Sequence, residues 1–183
     1  DGVTYINDFL GLQIDKPEGW YAQPPEETLK LSQRGSEVMV AENQSLKAML
    51  AASLKSSLPL FGFFQVPPGT PNRDATSLIG MAENISGLPG IKSGCDYLSH
   101  VRQMLKSGAP HLTVRDGCST RTIGGSTLGV IEATASAADR KVTQHYLACV
   151  KGEHAIGLVS SSMDAQGAAQ LDAVLQTLKV QCQ

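Results

Sequence analysis

The sequence predicts an α+β fold. It is read as an α/β/α sandwich with a central, mainly antiparallel sheet of about six or seven strands flanked by helices, and residues 1–183 as one domain. Three observations predict it. Strand-like segments come in clusters between helical ones instead of alternating with them. Three long β segments near the C-terminus are joined by turns too short to hold a helix, which makes an antiparallel meander. Within that meander Ile131, Ala133 and Ala135 alternate with Val130, so both faces of the sheet are apolar and both need a cover.

Residues 4–7 and 12–16 have β-compatible composition around an Asp8–Gly11 turn, where Gly11 can take a positive φ. Pro17-Glu-Gly-Trp20 stops the second strand. Pro24-Pro-Glu-Glu27 places proline and acids where a first helical turn wants them. Leu29 and Leu31 carry a weak amphipathic face until Gly35 interrupts it. Leu46, Met49, Leu50 and Leu54 recur at helical spacing and predict a helix. Glu37–Asn43 fits either that helix or a short strand. Leu60–Val66 and Thr76–Ser86 read as strands joined by the loop Pro67–Asp74. Ser93 caps a helix to about Ser107, with Leu98, Val101 and Leu105 on its buried face. His111–Arg115 and Ser119–Ile123 are short strands. A Gly124-Gly125 turn then leads into the meander Thr127–Ala137, Lys141–Lys151 and His154–Ser161, linked at Ala138–Arg140 and Gly152-Glu153. Ser162 is expected to cap a last helix whose face is Ala168, Leu171, Leu175 and Leu178.

The chain has 183 residues, 42% hydrophobic and 17% charged, which excludes a disordered polypeptide and provides enough core for one globular unit. The formal net charge is −2 and the 15 basic residues form no stripe. Nucleic acid and anionic membrane surfaces are therefore disfavoured as partners. No apolar run approaches the roughly 20 residues of a transmembrane helix. Leu58–Val66 is short, bounded by prolines and read as a buried strand.

Four cysteines, Cys95, Cys118, Cys149 and Cys182, are widely spaced and lack the C-x-x-C pattern of zinc sites and redox motifs. An even, scattered set fits two structural disulfides in an oxidising compartment, with four reduced, buried thiols as the alternative. The first residue is Asp1, not Met, so removal of a preceding segment is expected, which also favours export. Three pairings are open. Strand direction favours Cys149 with Cys182, because the last helix runs back towards the end of the sheet that carries Cys149. Cys95 and Cys118 remain.

The candidate sites are few. Trp20, the single tryptophan, is expected to close one end of the core instead of docking a partner. Cys95 stands at a predicted helix start, where a free thiol would be acidified. No histidine faces it, so a disulfide or an inert thiol is the better reading. His100, His111, His145 and His154 have no metal spacing. The Gly152-Glu153 turn sets His154 opposite Lys151 and His145 near Ser160, so a zinc site from His145, Cys149 and His154 would need a register shift. Gly124–Gly129 lacks the lysine and helix of a phosphate loop. Ser160-Ser-Ser162 lacks the glycines of a nucleophile elbow. Asn43 and Asn84 match the glycosylation triplet. Glu132, the acid inside a meander strand, is the first to inspect for an unusual environment. No metal and no cofactor is expected.

The opening Tyr5-Ile-Asn7, Gly11-Leu12 and Pro17-Glu-Gly-Trp20, together with the late Gln144-His-Tyr146 strand and the element order from Tyr5 to Leu178, resembles the PsbP/Mog-like superfamily. That group includes an extrinsic photosystem II subunit, a Ran-binding transport factor and bacterial periplasmic or lipoprotein domains. The resemblance implies an antiparallel sheet flanked by helices and non-enzymatic binding or assembly work. It carries over no partner and no functional residue. The expected function is a non-catalytic exported accessory or binding domain, periplasmic or otherwise extracytoplasmic, with a lipid anchor through the removed N-terminus as one form. A protein or envelope component is the expected partner. The alternative is a thiol- or hydroxyl-dependent enzyme with Cys95 as nucleophile.

Overall fold

The computed structural model describes residues 3–30, 33, 44–71, 76–108, 111–137 and 140–182. Strands β1 (Val3–Asn7) and β2 (Leu12–Lys16) form a two-stranded ribbon. They are followed by β3 (Tyr21–Gln23), a helical stretch at 25–30, α1 (Gln44–Lys55), β4 (Ser57–Phe64), β5 (Ser77–Asn84) and α2 (Gly94–Gly108). Then come β6 (Leu112–Val114), β7 (Ser119–Ile123), β8 (Ser126–Ala137), β9 (Arg140–Lys151), β10 (His154–Ser162) and α3 (Ala165–Leu175). Leu31 and Glu37–Asn43 lie outside the described residues, as do the side chains of Leu46, Met49 and Leu50. Among the described residues no helix is long and apolar enough to cross a membrane.

The main sheet runs β3-β4-β5-β10-β9-β8-β6, with β7 also pairing β8, and every pairing is antiparallel. Local chemistry sets the meander. Gly124 and Gly125 have φ of 58° and 86°, the double positive φ that a two-residue hairpin turn needs to match strand twist. The Gly152-Glu153 turn sets Lys151 opposite His154.

Alternation then gives each face its core. On one side Leu128, Leu147, Ile156 and Leu158 pack with Leu171, Val174 and Leu175 of α3 and with Leu10, Leu12 and Ile14 of the ribbon. On the other, Ile131 and Ala148 meet Leu98 of α2, and Ile85, Val150 and Ala155 form an adjoining cluster. Each fully buried leucine contributes about 1.5–3 kcal/mol. Trp20 sits in the larger core at 8% exposure, as expected. A register shift between Pro59 and Phe61 brings Leu60 and Phe61 into that core together.

The chain is the expected sandwich, with differences in detail. The main sheet has eight strands, not six or seven, because β3 is too short to leave a period-2 pattern. The opening ribbon stays outside that sheet. It lies on the α3 side, held by the Gln13–Lys179 bridge and by Lys151 Nζ, which donates to the Leu10 carbonyl at 2.6 Å. The last helix is capped by Asp164, not Ser162. The Asp164 carboxylate accepts from the Gly167 amide at 2.7 Å, while Ser162 ends β10. The helix stops at Leu175, so Gly167 and Val174 complete its buried face, Ala168 is exposed and Leu178 enters the core beyond the helix.

The tightest joint is at the start of α2. A Cβ on Gly94 would run into the Ala148 carbonyl, and one on Gly129 would stand 2.8 Å from the Cys95 nitrogen and 2.9 Å from its sulfur. The helix therefore meets β8 and β9 backbone to backbone. Gly94→Ala, ordinarily a gain within a helix, is expected to destabilise by about 1–3 kcal/mol. Gly87→Ala, where a Cβ meets open space, is expected to stay within about 0.5 kcal/mol of the parent. Urea unfolding of the two variants checks this, and equal stabilities would contradict the tight joint.

Candidate functional site

β8 is longer than either strand on its outer edge. β7 pairs with Ser126–Val130 and β6 with Ala133–Ala135, and between them Asp116, Gly117 and Cys118 leave the edge as a loop. Gly117, at φ 84°, makes the turn. Three contacts tie the loop to α2. Cys118 stands at disulfide distance from Cys95 (2.11 Å), Arg102 Nη2 donates to the Gly117 carbonyl, and Lys106 meets Asp116 at 3.1 Å. A groove of about 680 Å³ opens beside the split edge. A second pocket of about 250 Å³, roofed by α3, shares Arg121, Val130 and His145 with it.

Strand register brings the charges together. Ser160, His145 and Glu132 are direct cross-strand partners on β10, β9 and β8, so they form one row on the α3 face. Glu132 has two basic neighbours, Arg115 Nη1 at 3.4 Å and His145 Nε2 at 3.5 Å. Arg121 on β7 bridges to Asp172 on α3 at 2.9 Å. These pairs are partly or largely exposed, with Arg115 at 73% and Glu132 at 29%, so each contributes little to folding, about 0–1 kcal/mol. Charges held in place so cheaply can exchange one another for a partner's groups at small cost.

The row has the residue types of a Ser-His-Glu triad without its geometry. Ser160 is 4% exposed, no hydrogen bond joins it to His145 among the described residues, and the His145 nitrogen that approaches Glu132 is Nε2. A nucleophile needs its base within reach, so the arrangement is suited to holding charged groups.

The other candidates lie apart. Cys149 and Cys182 are at disulfide distance, 1.98 Å, under the ribbon and α3 core, so Cys149 is no metal ligand. Cys95 is at the helix start as predicted. With its sulfur on Cys118 it offers no thiolate, which corrects the alternative of Cys95 as nucleophile. His154 sits edge-on to Phe9 with ring centres 5.4 Å apart, and His100 lines a different groove. His111 is exposed. Gly124–Gly129 is the hairpin turn and the strand after it. Asn84 ends β5 and accepts from Ser86, while Asn43 lies outside the described residues. Among the described residues no group of three His, Cys, Asp or Glu could hold a metal. Arg115, Arg121 and Asp172 were not singled out from sequence. Arg121 and Asp172 lie 51 residues apart and meet only through the fold.

The start of α2 is a reciprocal cap. The Asp96 amide donates to Ser93 Oγ at 3.1 Å, while the Asp96 carboxylate accepts from the amides of Lys92 and Ser93, both at 3.0 Å. These bonds, the Lys92 amide foremost, hold the Asp96 carboxyl below its ordinary 3.8.

No protein-family model matches this sequence, and no curated protein matches it. Solved structures share its fold. The solution structure of cyanobacterial PsbP (CyanoP) from Synechocystis sp. PCC 6803 superimposes with a TM-score of 0.52 at 11% identity, covering 98% of this chain and 92% of that one. A crystal structure from Bacteroides thetaiotaomicron VPI-5482 gives 0.52 at 12% identity over 97% of this chain, which spans about half (48%) of that protein.

Two outcomes are expected here. The unreduced native protein should show no reactive thiol, and a non-reducing peptide map should link Cys95 to Cys118 and Cys149 to Cys182. A reactive Cys95, or a crossed link, would overturn the assignment. Separately, Asp96→Asn should lower stability at neutral pH. A lowered folded-state pKa contributes stability above the unfolded carboxylate's pKa and loses it as pH falls through the folded value. The gap between parent and variant in urea midpoints should therefore close in acid, and a gap independent of pH would refute the charged cap.

Proposed function

We propose that this chain is a non-catalytic, exported accessory domain, a single unit over residues 1–183, that binds a protein or another envelope component. The observation that carries this reading is the groove beside β8, with exposed and exchangeable ion pairs around Glu132 and Arg121. A rim of this kind favours recognition and on-rate over bulk affinity. The two cysteine pairs at disulfide distance support an oxidising compartment. Fold alone does not assign function, so the groove and not the likeness bears the weight. Tethering through a lipid on a segment ahead of Asp1 belongs to the same proposal.

Retention of components of a solubilised envelope fraction by the immobilised protein tests it. A component held by the parent should be released by added salt and held about tenfold less by the Arg115→Glu, Arg121→Glu double variant, with melting temperature near the parent's. Equal retention by parent and variant, or no specific component, would sink the reading.

A further inference from the structure

On the opposite face of the sheet a carboxylate is buried where the fold does not need its charge. Glu83, on β5 between Ser57 of β4 and Ala155 of β10, is 6% exposed. It projects beneath α1 and α2 beside the cluster of Ile85, Val150 and Ala155. Two hydroxyls reach it. Ser53 of α1 donates to Oε1, and the phenol of Tyr97 on α2 hydrogen-bonds the carboxylate. Burial first, then the charge of Glu83 and this bond, hold the Tyr97 phenol protonated well above its usual range. No Lys or Arg pairs with Glu83 among the described residues.

Both hydroxyls ask only for an acceptor. A glutamine carbonyl at position 83 would serve them equally, without the cost of burying an unneutralised charge. A carboxylate has about four acceptor positions, and the two donors among the described residues leave it unsaturated. Glu83 also forms part of the wall of an open groove of about 470 Å³ whose other walls include Ala52, Leu88, His100 and Met104. A cleft of mostly apolar surface with one anionic group inside matches a cation carried on an apolar stem.

We propose that this groove is a binding site for a primary ammonium group on a short apolar chain, with Glu83 as counter-ion and Ala52, Leu88 and Met104 around the stem. The site is distinct from the groove beside β8 and does not rest on its reading. A free alkylamine and a lysine side chain share this chemistry, and the cleft, open to solvent and mostly apolar in surface although Ser56, Asn84, Ser86 and His100 also border it, favours the free amine.

Hexylamine, titrated calorimetrically into the full chain, is the probe, with hexanol and hexanoate as neutral and anionic controls. Hexylamine should bind saturably and raise the melting temperature, while neither control does. Glu83→Gln should weaken hexylamine by about tenfold or more, the loss expected for one bond to a charged group, and should leave the ligand-free protein at least as stable as the parent. Gly87→Trp keeps the carboxylate but fills the groove from a backbone position with open space around it, and it should lose hexylamine too. This second variant decides the matter if Glu83→Gln fails to fold. A lysine peptide that binds tighter than hexylamine would transfer the site to a protein partner and overturn the free-amine assignment. Equal binding by parent and Glu83→Gln, equal binding of hexanol, or no binding of hexylamine would each end the proposal.

Discussion

The backbone contact between α2 and the strands beneath it governs much of this architecture. Gly94 lies over Ala148, and Gly129 under Cys95, with no room for a side-chain atom at either glycine. That approach brings Cys95 within reach of Cys118 and sets the height at which Leu98 enters the core. Once α2 is seated there, Arg102 and Lys106, further along the helix, stand where they can hold the 116–118 loop. The loop that walls the groove beside β8 is thus held by the helix on the other face. A crosslink closing a loop of 23 residues adds about 3–4 kcal/mol by chain entropy, so the joint is reinforced where side-chain packing is thinnest.

The groove follows from a mismatch of lengths. β8 has 12 residues, while β7 and β6 have 5 and 3. Two short strands cannot cover a long edge without a gap, and the gap falls at Ile131 and Glu132. A free edge invites unwanted pairing. Here it is occupied by charged side chains and by the Arg115 amide, which donates to the Glu132 carbonyl at 2.9 Å. The same charges that protect the edge are the ones the proposed binding role would use.

Most of the fold was legible because it is written in local signals. The Gly152-Glu153 turn places His154 opposite Lys151 and His145 near Ser160, and in the structure both are direct cross-strand pairs. The Glu132–His145 pair escaped for a reason of one residue. A three-residue turn at Ala138–Arg140 sets Ala137 against Lys141, whereas the chain pairs Ala137 with Arg140. A slip of one exchanges the faces of a strand, so the central pair of the candidate site was hidden by a turn length. β3 was too brief to show a period, and the ribbon's separation from the main sheet depends on packing against α3, which no local pattern encodes. The capping of α3 shows the limit of choosing between neighbouring residues. Ser162 and Asp164 are both good caps, and the strand register that keeps Ser162 in β10 decides between them.

The two faces of the sheet treat charge in opposite ways, and the contrast carries the functional argument. On the α3 face Glu132 and Asp172 each have a basic neighbour and water access, so charge there is readily exchanged. On the α2 face Glu83 is deep, its described partners are hydroxyls, and its neighbours are apolar. A stability argument accounts for the first arrangement and not for the second, since an amide would satisfy the same donors with less desolvation. Natural chains tolerate such an expense mainly where a site requires it. The charge that folding does not explain is therefore the more informative of the two, although the groove that holds it is the smaller.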